Sequence, residues 1–272
     1  MRSRSSRRTM ADTADPYALY QQSVQNPEAD IAFIERAFRG RYSRSPRVLH
    51  EDFCGTAFLA CGWAASRPDR RAVAFDVDPV PLAWGAAHNR AALADEDAAR
   101  VELVQGDVRT VAGPPADVVV AGNFSFCVFG KRAELLEYLV AARARLAEEG
   151  ILVLDVVGGP STQREKHETT RPELSFEYVW EQRSFDPVSY RAEFAIHFRF
   201  VDQSELRDAF VYDWRLWTLP ELHDLLETAG FSDVTVYWEQ SDAKTGRGNG
   251  VFRPVGRAPA DDSWLAQVVA IR

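Results

Sequence analysis

Cysteine is scarce in this sequence. Three thiols in 272 residues, Cys54, Cys61 and Cys127, are an odd number, and no two stand at a metal-ligand spacing. A disulfide framework and a thiolate metal centre are both disfavoured. The apolar surroundings of all three predict buried thiols in a reducing, cytoplasmic compartment. Histidine is nearly as rare. His50, His88, His167, His197 and His223 form no His-x-x-x-His pair, so no metal site is expected. His167, in a charged segment, is a candidate base. Long apolar runs are missing: none approaches the ~20 residues that span a bilayer, which predicts a soluble chain with no membrane partner. Positive charge is in deficit, with 32 Lys and Arg against 40 Asp and Glu and a formal net charge of −8. Such a surface does not draw phosphate backbones to itself, and a nucleic-acid partner is not expected. The first ten residues run the other way, with four arginines and no acid. They predict a disordered basic tail over 1–12, or a start upstream of Met10; no apolar signal-peptide core follows. There is no internal repeat, and nothing in the sequence fixes the oligomeric state.

The chain does have enough apolar residues, 46%, to bury a sizeable core. Its length suits one large α/β domain, with or without an insertion. The apolar run Val48-Leu49 ends in acids and a turn, His50-Glu51-Asp52-Phe53-Cys54-Gly55-Thr56, and a helical pattern follows from Ala57. Strand, tight turn and helix open nucleotide-binding α/β folds. Gly55, without a Cβ, lets backbone approach a ligand, and Thr56 is placed as N-cap. A second strand, 72–76, ends at Asp76, about twenty residues on, the spacing at which an acid meets ribose hydroxyls. Strands follow near 101–104, 117–121 and 151–156, alternating with helices through Trp84–Ala92 and Lys131–Leu146. Alternation of this kind predicts a parallel sheet with right-handed crossovers. Glu51, Asp76, Asp107 and Asn123 then all lie just beyond carboxyl ends of strands, which makes one crevice of four scattered polar residues.

These motifs resemble those of the class I S-adenosylmethionine-dependent methyltransferases. Glu51–Ala57 is similar to their acid and glycine-rich turn, with Phe53 and Ala57 where the family has glycine. Phe75-Asp76-Val77-Asp78-Pro79 resembles the second motif, Gln105-Gly106-Asp107-Val108 the third, and Gly150–Asp155 the fifth strand. The resemblance covers roughly residues 30–272. It implies a Rossmann-like, seven-stranded, mostly parallel sheet with helices on both faces, and S-adenosylmethionine as cofactor. The donor would be held by Glu51, Phe53, Gly55, Thr56, Asp76, Val77, Asp107, Val108, Asn123 and Phe124. In this family an acid at the place of Asp107 contacts the adenine amino group. Glu51 would act through the donor's ammonium or through the loop backbone.

After Gly158-Gly159-Pro160 the rhythm changes. Residues 160–215 alternate like strands and are rich in aromatics, with turns at Asp186-Pro187 and Asp202-Gln203-Ser204. They predict an antiparallel β insertion after strand five, a lid within a methyltransferase domain of 46–272. Tyr178, Trp180, Trp214 and Trp217 are candidate substrate-binding rings there, whose faces suit a cation, so a small amine is the expected acceptor. Alternatively, one aromatic face simply packs on a sheet. An N-terminal helical cap is expected over 13–45, either covering a sheet edge or closing over the donor with Tyr17, Tyr20 and Gln25. Thr218-Leu219-Pro220-Glu221 is a capping box, and strands near 233–239 and 264–271, joined by a long loop, complete the sheet. No catalytic triad is visible, and methyl transfer needs none. Two other classes share parts of this pattern: a nicotinamide-dependent oxidoreductase, which would have a more glycine-rich turn, and a non-catalytic nucleoside-binding protein.

Overall fold

The structure is a computed structural model that describes residues 8–170, 176–242, 244, 246 and 248–272. In chain order the elements are α1 (Pro16–Val24), α2 (Pro27–Arg41), β1 (Val48–Asp52), α3 (Phe58–Ser66), β2 (Arg71–Asp76), α4 (Pro79–His88), α5 (Asp95–Ala98), β3 (Val101–Gln105), β4 (Ala116–Ala121), α6 (Arg132–Arg145) and β5 (Leu146–Gly158). Then come β6 (Lys166–Thr170), β7 (Phe176–Asp186), β8 (Arg191–Phe200), β9 (Glu205–Arg215), α7 (Leu219–Thr228), β10 (Asp233–Ser241), β11 (Gly248–Pro254) and β12 (Trp264–Ile271). They gather into two compact units. The smaller combines the chain up to Gln25 with Thr162–Trp214, and the larger combines Asn26–Ser161 with Arg215–Arg272. The helical segment expected over 13–45 is thus divided, α1 belonging to the smaller unit and α2 to the larger. The basic tail expected over 1–12 lies outside the described residues up to residue 7. Its last part is placed: the Met10 N–H donates to Asp202 at 2.9 Å and the Ala11 N–H to the Ser204 hydroxyl at 3.1 Å.

The larger unit is an open, mostly parallel sheet in the order β11-β10-β12-β5-β4-β1-β2-β3. β4 is its centre. All six of its residues, with Val118, Val119 and Val120 in succession, are buried, as expected of a parallel strand covered on both faces. β1 pairs in parallel with β2 on one side and β4 on the other. The chain reverses its direction of winding there, and crevices in such sheets open at that reversal. Eight strands are present where seven were expected. The extra one, β11, lies in the expected 241–262 loop and shows no apolar alternation. It pairs antiparallel with β10 through its backbone, and Gly248 gives it room, since a Cβ there would fall 2.2 Å from the Glu239 carboxylate. α2 starts where the Asn26 side chain accepts the Ala29 N–H and Pro27 occupies the first turn. It continues through Gly40 to Arg41. No helix of the described residues is long and apolar enough to cross a membrane.

The smaller unit holds the antiparallel insertion, a sheet in the order β6-β7-β8-β9. Residues 191–200 form one strand. β6 was not anticipated because Lys-His-Glu-Thr-Thr has no apolar face; it is held by backbone pairing to β7.

A buried polar network fixes the end of β1. Asp52 accepts two bonds from Arg145 of α6, at 2.8 and 2.7 Å, and one from the Tyr138 hydroxyl at 3.0 Å. Desolvation is the largest influence on the pair, and Asp52 and Tyr138 outweigh it at Arg145, which stays firmly cationic. Beside it on β1, His50 is fully buried against Phe75. Its ring nitrogens make no hydrogen bond of normal geometry, although the Pro114 carbonyl is near enough to favour the protonated ring slightly. Burial, aided by Arg145, lowers its pKa to about 4.

Two stability tests follow from these contacts. Arg145→Met strands the Asp52 carboxylate without its cation, and urea denaturation is expected to show a loss of about 3–5 kcal/mol; a loss below 1 kcal/mol would remove the network from its structural role. His50 is neutral when folded and titrates near its ordinary value when unfolded. Between about pH 6.5 and 4 the unfolded chain therefore binds more protons, and stability falls as the pH drops. The contribution lost is up to about 3 kcal/mol. His50→Leu should flatten the acid limb of the stability curve by that amount, and an unchanged slope would contradict the assignment.

Candidate functional site

The crevice edge of the larger unit begins with the turn after β1. Phe53, Gly55 and Ala57 all take left-handed backbone, with φ of 55°, 54° and 55°. Phe53 and Ala57, which stand where the resembled family has glycine, thus keep the glycine conformation at a cost of roughly 1–2 kcal/mol each. Packing offsets it. Ala57 is fully buried, and the Phe53 ring meets Phe129 and Tyr138 edge-on at 5.8 and 5.4 Å. Thr56 does not cap α3, contrary to expectation; Ala57 occupies the N-cap position and no side chain bonds there. The left-handed step at Ala57 carries Thr56 one residue outside the helix, where its carbonyl accepts from Asn89 Nδ2 at 2.8 Å. Glu51 supplies the missing partner, accepting the Ala60 N–H at 2.8 Å. Its observed bond is thus to the first turn of α3. Burial raises the Glu51 carboxyl to about 8, with Asp30, Asp76 and Asp52 adding to the effect.

Asp76 ends β2 and ties the turn to its own loop. One carboxylate oxygen accepts the Gly55 N–H at 2.7 Å and the other the Asp78 N–H at 2.9 Å. Each retains acceptor capacity for a diol. Val77 beside it is a large apolar side chain, 68% exposed, a surface suited to a flat ring. Asp78 is the N-cap of α4. Asp107, after β3, is engaged by Arg109, whose Nε lies 3.0 Å from one oxygen, and the charge-assisted bond holds its carboxyl below the usual range. Val108 is buried. After β4, Asn123 and Phe124 are both left-handed, at φ 52° and 58°, and the Asn123 N–H donates to Asp155 at 2.7 Å. Among the described residues of the larger unit, the four non-glycine residues with positive φ are Phe53, Ala57, Asn123 and Phe124. All four lie on the turns at this one edge, and such strain gathers at functional sites.

Two carboxylates on this edge were not picked out as site residues from the sequence. Asp155 sits near the end of β5, its carboxyl raised by burial. Asp30 projects from the first turn of α2. The residue is exposed to solvent, but the protein around its carboxyl, with Asp155 adding, raises it to about 7. Nothing in the sequence marks Asp30 out; its helix α2 packs on α3 through Pro27 and Ile31 at Gly62. Asp155 was legible as a strand-end acid like Asp76.

The remaining candidates fall in different places. In the smaller unit, Tyr17 and Tyr20 meet Phe210 at 5.8 and 5.0 Å, and Trp180, Tyr212 and Trp214 stack together, with Tyr212 and Trp214 4.5 Å apart. Tyr178 packs on Phe198. Gln25, at the end of α1, has a buried Oε1 with no hydrogen-bond partner among the described residues. Trp217 belongs to the larger unit instead. It is buried, its indole N–H donates to the Phe129 carbonyl at 3.2 Å, and Arg215 covers its ring, so it serves as core. His167 is exposed beside Glu181 at 3.4 Å. Glu181 also joins His197 and Asp208 in a cluster of metal-ligand type, but Arg183 bonds both acids, and the Asp208 N–H occupies the His197 Nδ1 lone pair at 2.9 Å.

The crevice turn leans on α4: a Cβ on Gly85 would stand 2.2 Å from the Thr56 carbonyl oxygen. Gly85→Ala is expected to push α4 off the turn and cost about 1–3 kcal/mol of stability by thermal or urea denaturation. A variant as stable as the wild type would show that the turn yields freely.

No protein-family model and no curated protein matches this sequence. Solved structures do. One is CalS10, an amino pentose methyltransferase from Micromonospora echinaspora involved in calicheamicin biosynthesis, with S-adenosylmethionine bound. It shares 20% identity over 94% of this chain and 95% of its own, with a TM-score of 0.65. Another is the sugar N-methyltransferase KedS8 from a Streptoalloteichus species, at 18% identity over 95% and 93% and a TM-score of 0.63. A third, Streptomyces venezuelae DesVI, matches at 18% identity over 96% and 98% and a TM-score of 0.65. The sheet order, the antiparallel insertion after β5 and these full-length likenesses agree: the chain has the fold of the class I S-adenosylmethionine-dependent methyltransferases.

Proposed function

We propose that this protein transfers a methyl group from S-adenosylmethionine to a nitrogen of a small-molecule acceptor. The observation that carries the proposal is the Asp76 carboxylate, locked by two backbone N–H groups at the crevice edge with acceptor capacity left for a ribose. Gly55 next to it offers open space, with nothing within 4 Å of a Cβ built there. Exposed Val77 would carry the adenine, and Asp107 would take its amino group while still held by Arg109. When bound, the donor supplies an electrophilic methyl on a sulfonium. The protein's part is to align the acceptor, exclude water and manage one proton. Solved structures of similar fold include sugar and glycopeptide N-methyltransferases, which favours an amine over a phenol or carboxylate. The net charge of −8 favours a small cation over a nucleic acid, and three buried free thiols fit a cytoplasmic setting.

Calorimetry with S-adenosylhomocysteine and with NAD tests the donor, and a metabolite screen with labelled S-adenosylmethionine tests the acceptor. Saturable binding of the first ligand alone, with label appearing on an amine, is the expected result; NAD binding, or no binding at all, would refute it. Asp76→Asn should weaken S-adenosylhomocysteine at least about tenfold, since charge-assisted bonds are worth about 1.5–3 kcal/mol. Asp107→Ala should cost less, because one amino contact is lost in place of two hydroxyl contacts. Equal losses, or none at Asp76, would reassign the ribose acid.

A further inference from the structure

We infer that Arg109 sets the base selectivity of the donor site: it holds the Asp107 carboxylate with one oxygen lone pair left open, a position that takes the amino group of adenine and turns away the carbonyl of hypoxanthine. This rests on the methyltransferase function proposed above. Bonds and ring contacts place both residues at the crevice edge. β3 runs beside β2 with Gln105 opposite Asp76. The Gly106 N–H donates to the Asp76 carbonyl at 2.8 Å, and Gln105 Nε2 to the Val77 carbonyl at 3.3 Å. The turn that carries Asp107 is thereby tied to the turn of the ribose acid. Arg109 reaches the other way. Its guanidinium lies 5.4 Å from the centre of the Phe129 ring, and Phe129 meets Phe53 of the turn after β1 at 5.8 Å. Its Nη1 stands 3.4 Å from the Glu137 carboxylate of α6. These contacts fix the guanidinium and leave its Nε and Nη2 fork for Asp107.

An ionised carboxylate has about four lone-pair sites, two on each oxygen. Oδ1 of Asp107 accepts the Arg109 backbone N–H at 2.9 Å and Nε at 3.0 Å, which fills it. Oδ2 accepts Nη2 at 2.5 Å and shares the Nε hydrogen at 3.1 Å. The fork thus takes one lone pair from each oxygen in the bidentate manner. One lone pair is left, on Oδ2, turned away from the guanidinium in the carboxylate plane. Among the described residues no further donor bonds this carboxylate, and 36% of the side chain's surface is exposed, so a ligand can reach it. The bonds from Arg109 hold the carboxyl below its usual range. It therefore stays ionised and can only accept. An amino N–H satisfies the open lone pair. A carbonyl oxygen in its place sets two acceptors against each other and strips the lone pair of its water without replacing it. Without the fork, the carboxylate can rotate and turn its acceptors to water while either base is bound. Arg109 acts through Asp107 and is a positioning residue.

S-adenosylhomocysteine and S-inosylhomocysteine test this without an identified acceptor, because the second carries a carbonyl where the first carries its amino group. Dissociation constants for both are measured by calorimetry on wild type, Arg109→Met and Arg109→Lys. Methionine keeps a long side chain against Phe129 and loses the fork; lysine keeps the charge and loses the fork. Wild type should prefer the adenine ligand by about tenfold or more, the worth of one charge-assisted bond. In Arg109→Met the preference should fall to about twofold, through weaker binding of S-adenosylhomocysteine with S-inosylhomocysteine unchanged, since a freely rotating carboxylate keeps little direction. Arg109→Lys should resemble the methionine variant. If Arg109→Met keeps the wild-type ratio, or weakens both ligands by the same factor, Arg109 is merely structural and the inference is overturned. Full recovery of the ratio in Arg109→Lys also overturns it, by assigning the effect to charge instead of the fork. Equal wild-type affinity for the two ligands overturns it while leaving the donor site standing, and failure of wild type to bind either refutes the methyltransferase function as well.

Discussion

The larger unit depends on one buried ion pair. Asp52 is the last residue of β1, and the two bonds from Arg145 with the third from Tyr138 clamp that strand end to α6. Everything at the crevice begins one residue later, where Phe53 turns left-handed. A strained turn holds its shape only if its flanks cannot relax. On one flank the ion pair supplies that rigidity; on the other, the Glu51 carboxylate grips the first turn of α3. Burial makes both interactions costly to break, because either carboxylate would be left in the interior without partners.

The chemistry of the edge follows from an uneven distribution of cations. Asp52 and Asp107 each pair with an arginine, and Asp52 serves shape alone. Asp76 is neutralised by backbone N–H groups, which hold it still while leaving oxygen lone pairs outward. Asp30, Glu51 and Asp155 share a space with no basic side chain bonded to them among the described residues. Burial raises all three carboxyls, with repulsion from neighbouring acids adding at Asp30 and Glu51.

The smaller unit obeys different physics. Its four strands are short of aliphatic residues and rely on ring packing, with Trp180, Tyr212, Trp214 and Phe194 at centroid distances of 4.5–6.2 Å. Arg183 bonds Glu181, Glu193 and Asp208 on one surface. That arrangement accounts for the histidines and acids gathered there without any metal, since the guanidinium already supplies the positive charge.

The sequence by itself determined the alternation of strands and helices, the caps at Asn26, Asp78 and Thr218, and the strand-end acids Glu51, Asp76 and Asp107. Each is written in a few adjacent residues: a β-branched run, a capping side chain, an acid before a turn. Only the tertiary structure decided the rest. β6 and β11 are held by backbone pairing to a neighbour, and no local apolar pattern announces them. Thr56 failed as a cap because the turn adopts a left-handed step at a non-glycine residue, which packing on Ala57 and Phe53 sustains and sequence preference opposes. Trp217 looked like its aromatic neighbours in sequence but fell into the other unit's core. Asp155 holds the Asn123 backbone only because β4 and β5 lie side by side in the sheet, a pairing that joins residues distant in the chain.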